Sequence, residues 1–459
     1  MRWSWKPAAT PNTATKRREN AMNVDVRPIK TAAECALAAS FALARANLPG
    51  VDEVATLREE AFRRFETDGL PHRRIEEWKY TDLRALMREA KPLAPLPDAA
   101  AKRLAGQGMP AASIEARRIV FVNGSFVPEL SDLADLEPGL AIRSMASALA
   151  AGDPRIVNRI GKIAPTSDTA VALNTAFMGD GAVIEVAPGA ALSRPIQLAF
   201  FNGGSDAGAV FMRSLAVIGK GARVMLVESH DGVGEFQVNT ALELEIGDTA
   251  HVDHIKITRT GSLHVSSLMT AVGAQARFNE FLFTIGGQVV RNQLFVRFEG
   301  EGTIAGIRGA CLLKGRQHVD TTLVAEHVAQ ACTSREMFKS AIDGEGRSVF
   351  QGKIIVRPNA QKTDARMATH ALLLSETAEA DNKPELEIFA DDVQCGHGAT
   401  AGDLDENLLF YLRARGIPEQ QAQALLIQAF VGEAVEGIEH AGLRDTLMAE
   451  VAAWLGARE

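Results

Sequence analysis

The sequence predicts a mainly β fold: a parallel β-helix set between an N-terminal and a C-terminal α-helical domain. Three observations carry this. From about residue 168 to about 400, short strand-like runs dominate, such as Val224-Met225-Leu226-Val227 and Arg277-Phe278-Asn279-Glu280-Phe281. Within that stretch glycine-led turns recur at Gly189, Gly221, Gly247, Gly273 and Gly302, spaced 32, 26, 26 and 29 residues apart. A repeat of this length with one turn per unit marks a stacked coil, in which each unit buries its apolar face against the next. Third, both flanks show helical periodicity instead. A β-sandwich stays open as the alternative.

Taken in order, residues 1–21 are basic, with Arg2, Lys6, Lys16, Arg17 and Arg18 against the single acid Glu19. No apolar segment follows, so this is not a secretory signal. It reads as a disordered tail with Met22 as the natural start, or else as a transit peptide. Residues 22–165 read as a mainly helical domain. Thr31 caps a helix carrying Cys35, Leu37, Ala38, Phe41 and Ala42. Val54, Leu57, Ala61, Phe62 and Phe65 mark a second helix, stopped by Gly69 and Pro71. Residues 70–84 are expected to form a helix whose Trp78 and Tyr80 plug the core. The Ala- and Pro-rich stretch 91–110 reads as a linker. Asn123-Gly124 signals a hairpin between 118–123 and 126–127. Residues 132–161 read as loops with short helices.

The β-helix is assigned to 166–402 and the C-terminal helical domain to 403–459. There Asp403 or Asp405 caps a helix from Glu406 that stops at Gly416. Pro418 opens the next, whose Leu426, Ile427, Phe430, Val431, Ala434 and Val435 form an apolar stripe. About 55 residues cannot bury that stripe alone. It packs on the solenoid or receives a partner.

The densest chemistry lies in 385–402, ELEIFADDVQCGHGATAG. Cys395 and His397 are two apart, so on a strand they share a face. Gly396 and Gly398 flank the histidine and permit close approach of another backbone. Two ligands are too few for a structural zinc site. The rest would come from far away in sequence or from a second protein, unless the pair is an ordinary buried Cys and a hydrogen-bonded His. His251, His254, His264, His318, His327 and His370 read mostly as solvated or hydrogen-bonded surface residues. Nothing fixes His251, Asp253 and His254 as a metal site. The net charge of −8 and pI near 5.8 argue against a nucleic-acid binder. Four scattered cysteines without a CxxC pair fit a reduced, cytoplasmic compartment. No apolar run is long enough to span a membrane. No GxxxxGK[ST] motif occurs, so ATP hydrolysis is expected in a partner and not in this chain.

Several segments are similar to a known family: EEWKYTDL (76–83), FVNGSFVPELS (121–131), RSVFQGKI (347–354), the 383–402 stretch and LLFYLRARGI (408–417). Over residues 30–454 the chain resembles the SufB/SufD family of iron–sulfur cluster assembly scaffold subunits, on its SufD side. SufB-type chains carry a cysteine before an SLLIG-like run, and residues 369–374 here hold none. The resemblance implies a right-handed β-helix that pairs with a SufB-like subunit. It implies a SufC-like ABC ATPase on the C-terminal helices, for which Ile427, Phe430 and Val431 are the expected contacts. It also implies a transient iron–sulfur cluster at the subunit interface, with His397 as ligand and Cys395 as a second interface thiol. A reduced flavin in the full complex, a homodimer in isolation and a plastid location for a chain with a transit peptide are further implications. One rival is a purely structural partner without a ligand role. A remote rival is a β-helix carbohydrate-acting enzyme using Asp391 and Asp392, but neighbours on a strand face opposite ways.

Overall fold

The computed structural model describes residues 30–107, 114–163, 165, 167–204, 207–259 and 263–457, so the basic segment 1–21 lies outside the described residues. β1 (Arg117–Val122) and β2 (Ser125–Phe126) form the expected hairpin, with Asn123 and Gly124 both at positive φ as a type I′ turn requires. β3 (Leu140–Ser144) lies antiparallel to β4 (Ala182–Val186). Next come β5 (Ile196–Asn202), β6 (Ala209–Ile218), β7 (Arg223–Gly232), β8 (Gln237–Ile246) and β9 (His251–Thr258). The chain continues through β10 (Leu263–Val272), β11 (Arg277–Thr284), β12 (Val289–Phe298), β13 (Ile304–Leu313) and β14 (His318–His327). It ends in β15 (Thr333–Ile342), β16 (Arg347–Val356), β17 (Asp364–Leu373), β18 (Glu379–Ile388) and β19 (Gln394–Gly402). From β4 onward each strand pairs in parallel with the next but one, so odd strands build one sheet and even strands the other. This is a parallel β-solenoid, not a sandwich of antiparallel sheets.

One corner of every coil takes the left-handed conformation: Gly189, Gly221, Thr249, Gln275, Gly302, Ala331 and Lys362. Each of these N–H groups donates to a carbonyl of the following coil at 2.6–3.0 Å. The glycine repeat seen in the sequence is therefore real but composite. Gly247 and Gly273 are not the left-handed residues of their coils. They sit two residues earlier, where an added Cβ would lie 2.7 and 2.8 Å from backbone nitrogens of the previous coil.

Inward-facing residues from both sheets fill the lumen with one apolar core, including Leu226, Leu244, Phe278, Leu294, Phe298, Phe350 and Ile354. Helices cover both outer faces. On the even sheet lie α1 (Ala32–Ala44), with a complete Thr31/Glu34 capping box, and α2 (Glu53–Asp68). Residues 70–84 are not one helix: a 3₁₀ turn (Glu76–Trp78) leads to the short α3 (Leu83–Leu86). Trp78 is nonetheless buried, and Tyr80 half-buried. The fully buried Arg291 stacks 4.1 Å over the Trp78 ring, pairs with Asp320 and donates to the Glu77 carbonyl at 2.6 Å. Thr81 donates to Asp320 at 2.5 Å. The EEWKYTDL segment thus fastens the N-terminal helices to the sheet.

The stretch 91–110 contains α4 (Ala99–Ala105), and α5 (Met145–Ala150) and α6 (Pro154–Val157) follow. Where the sequence pattern suggested strands from about residue 168, α7 (Thr169–Phe177) is a helix with every residue buried. A helix buried on all sides has no polar face and hence no amphipathic period.

The odd sheet carries α9 (Glu419–Val435) and α10 (Ala441–Gly456), reached through α8 (Glu406–Arg413), which Asp405 caps. The α9 stripe packs on Phe281, Ala310, Leu312 and Ala341. Ile427 and Val431 are fully buried, and the half-buried Phe430 ring lies 4.5 Å beneath the Lys339 ammonium. These three expected partner contacts therefore hold the helical segment to the solenoid instead of facing outward. The sheet had enough bare apolar surface to take the stripe, which sequence alone does not reveal.

Candidate functional site

The helical clamps leave most of the last coil open: Glu76 reaches Lys383 of β18, which is mostly half-buried, but β19 is mostly exposed. β18 and β19 are the terminal strands of their sheets, with one edge unpaired among the described residues. Cys395 and His397 lie on β19 in register with Ala365 and Met367 of β17, both buried in the lumen core. The thiol and the imidazole therefore face the lumen axis at its open end. Cys395 is half-buried against the core, and His397 is exposed. Two strand residues on one face stand ~6.6 Å apart, close enough for their side chains to converge on one iron or on neighbouring irons of one cluster. Burial pushes the Cys395 thiol above its ordinary pKa. The Ala365 backbone opposes that, while Asp364 and Glu336 add to it. Coordination by a metal would reverse the shift, because a bound thiol is deprotonated.

The opposite face of β19 is almost bare. Gly396, Gly398 and Gly402 have nothing within 4 Å of an added Cβ, so no contact within this chain requires glycine there. Ile388 and Phe389 stand exposed at the rim, Phe389 by 56%. Asp391 and Asp392 occupy the turn between β18 and β19, where Asp392 pairs with Lys362. They do not converge as an acid/base couple.

Deeper in the lumen the structure places groups that sequence reading put on the surface. His254, His264 and His327 are completely buried. Register carries one inward column along the odd sheet from His254 through Glu280, Ile307, Glu336 and Met367 to His397. At its inner end His254 Nδ1 lies 2.6 Å from Glu280, and Nε2 3.6 Å from Glu228. Burial alone would lower its pKa, but the two carboxylates raise it to about 10, so the ring is held protonated. Beside it Lys256 donates to Ser266 at 2.5 Å and Asn292 at 2.7 Å, with its pKa lowered to about 8 by burial. Glu336, nearer the open end, is raised to a pKa of about 7 by burial, which outweighs the opposing effect of the neighbouring Ser334 hydroxyl. Strand parity splits the 251–254 cluster: His254 points inward, His251 and Asp253 outward. Parity was visible in HVDHIKIT, but the inward face (Val252, His254, Lys256, Thr258) is the more polar of the two, so the pattern pointed to the wrong face as the buried one.

Comparison with known proteins adds the following. Residues 200–430 match the model of the SufBD core domain of SUF-system FeS cluster assembly, and residues 45–198 match the SufBD protein N-terminal region. The SufBD family protein slr0076 of Synechocystis is 33% identical over 82% of this chain and 86% of its own length. The iron–sulfur cluster assembly protein SufD of Escherichia coli is 30% identical over 83% and 89%. The chloroplastic protein ABCI7 of Arabidopsis thaliana is 29% identical over 57% and 58%.

Proposed function

The chain belongs to the SufBD family of SUF-system iron–sulfur cluster assembly proteins, and from that premise we propose that it is a SufD-type, non-ATPase scaffold subunit whose mostly open last coil is the working surface. A SufB-like subunit docks on β18 and β19, and the nascent cluster, the cargo of the complex, forms between the two. His397 contributes an imidazole and Cys395 a second thiol. The partner supplies the remaining ligands. The observation that carries this reading is the combination on β19 of a lumen-facing Cys395/His397 pair with an outward face on which Gly396, Gly398 and Gly402 leave open space beside Gln394 and Thr400. Unpaired edge strands invite another chain, and positions without side chains let its backbone approach closely. Without the partner, the same edge is expected to pair with a second copy.

A SufC-like ATPase is assigned to α8, where Leu408, Phe410 and Tyr411 are 52%, 73% and 52% exposed and none of the helix is buried. The cytoplasm is the proposed compartment, with a plastid the alternative for a chain whose residues 1–21 act as a transit peptide. Among the described residues no helix is long and apolar enough to cross a membrane.

The test is anaerobic cluster reconstitution on the three-subunit complex, followed by ultraviolet–visible and Mössbauer spectra. His397→Ala should leave complex assembly intact and strongly reduce cluster formation. Cluster formation at the wild-type rate overturns the ligand assignment. Loss of assembly instead favours the purely structural role, for which the packing of Cys395 against the lumen core speaks. For the ATPase, Phe410→Asp should abolish pull-down without changing the circular dichroism spectrum, and retained binding removes α8 from the interface.

A further inference from the structure

A cavity of about 100 Å³ lies between the outer face of the odd sheet and the turn that joins α9 to α10. Several water molecules would fill it, since one needs roughly 10–15 Å³ of such space. Asp253 of β9, Asn279 of β11 and Gly306 of β13 follow one another in a single outward column. Asn279 donates to Asp253 at 2.8 Å. Gly306, which has no side chain, leaves the next place in the column empty and so makes the hollow. Arg308 of β13 projects over Gly437, where an added Cβ would fall 1.6 Å from its Nη1. Only glycine at 437 admits that guanidinium. Among the described residues, no carboxylate or carbonyl pairs with Arg308. Asp253 and Glu439 also line the cavity, and their carboxylates and the His251 imidazole hold ligand atoms within 4.8 Å of one another.

The charges decide what fits. A bare divalent cation could use His251, Asp253 and Glu439, but it would sit in the same cavity as the unpaired Arg308 guanidinium. It would also need the His251 ring, whose Nδ1 lies 3.1 Å from Arg223 Nη2. A metal-bound histidine normally donates from its other nitrogen, and a guanidinium cannot accept that proton. A bare anion would meet two carboxylates. A small molecule carrying both signs satisfies both sides at once. We propose that this cavity binds a free α-amino acid with a small side chain. Its carboxylate lies on Arg308, the residue type suited to bidentate carboxylate recognition, and its ammonium lies on Asp253 and Glu439.

The experiment is isothermal titration calorimetry on the full-length protein with glycine and L-alanine, against acetate, methylammonium, L-phenylalanine and Mn²⁺. For about five heavy atoms the expected Kd is on the order of 1 mM. Glycine and L-alanine should bind saturably. Acetate and methylammonium, each carrying half of the charge pattern, should bind at least tenfold more weakly. L-Phenylalanine should be excluded by size. Arg308→Gln and Asp253→Asn should each weaken glycine at least tenfold, with melting temperature and circular dichroism confirming that the fold persists. Absence of saturable glycine binding overturns the proposal. So does unchanged affinity in Arg308→Gln, or Mn²⁺ binding that displaces glycine and is lost in Asp253→Asn. None of these outcomes bears on cluster formation at His397.

Discussion

His254 and His397 occupy the same inward column of the same sheet, five coils apart, yet they live in opposite surroundings. His254 is sealed in the lumen between Glu280 and Glu228. His397 faces the same axis where no further coil closes over it. Chemistry in this fold is therefore set less by residue type than by whether another coil follows. Inside, a polar group must find its partners within the chain. At the end, its partner has to come from elsewhere.

The two histidines should respond very differently to one substitution. We predict that His254→Ala, which strands two buried carboxylates, costs about 3–5 kcal/mol in thermal or denaturant unfolding. A histidine whose folded pKa is raised stabilises fully below its unfolded value of 6.5 and loses that stabilisation as pH climbs toward about 10. The cost of His254→Ala should shrink across that window. A cost under about 1 kcal/mol at pH 6 would mean that the lumen admits water and is not sealed.

Glu336 stands between the two extremes. As a carboxyl raised to about 7 by burial, it burdens the folded state only when ionised. The penalty is absent below about pH 4.5 and complete above about pH 7. We predict that Glu336→Gln stabilises the protein by about 3 kcal/mol at pH 8 and by almost nothing at pH 4.5. Equal effects at both pH values would show that the carboxylate is hydrated from the open end.

Smaller effects are expected at the corners. Ala331 holds a left-handed conformation in an exposed turn, so Ala331→Gly should stabilise by up to about 1 kcal/mol. Gly273→Ala should destabilise, because its Cβ would press on the Asp248 backbone. Equilibrium unfolding of the pair tests whether the two glycine roles are distinct. Smallest of all, His397→Ala should shift stability by no more than about 0.5 kcal/mol, as for an exposed side chain without a partner among the described residues. A larger loss would place His397 among the residues that hold the last coil together.

Much of this was legible in the amino-acid order. Thr31 and Glu34 announce the capping box, Asn123-Gly124 the hairpin and the spaced glycines the coils, because each is a local constraint on a few dihedral angles. The Cys395/His397 pairing follows from a two-residue period alone. Contact over long sequence separation decided the rest. Strand parity says that His254 and Lys256 share a face, but only the closing of seven left-handed corners says that this face is the lumen. The α9 pattern says that Ile427 and Val431 want burial, but only the odd sheet, contributed by strands far earlier in the chain, says that they receive it within the molecule. α7 shows no helical period because it is buried on every side. A side chain's chemistry is fixed by its own atoms. Whether it is exposed, sealed or left waiting for a partner depends on the coils stacked above and below it, and only the assembled solenoid specifies those.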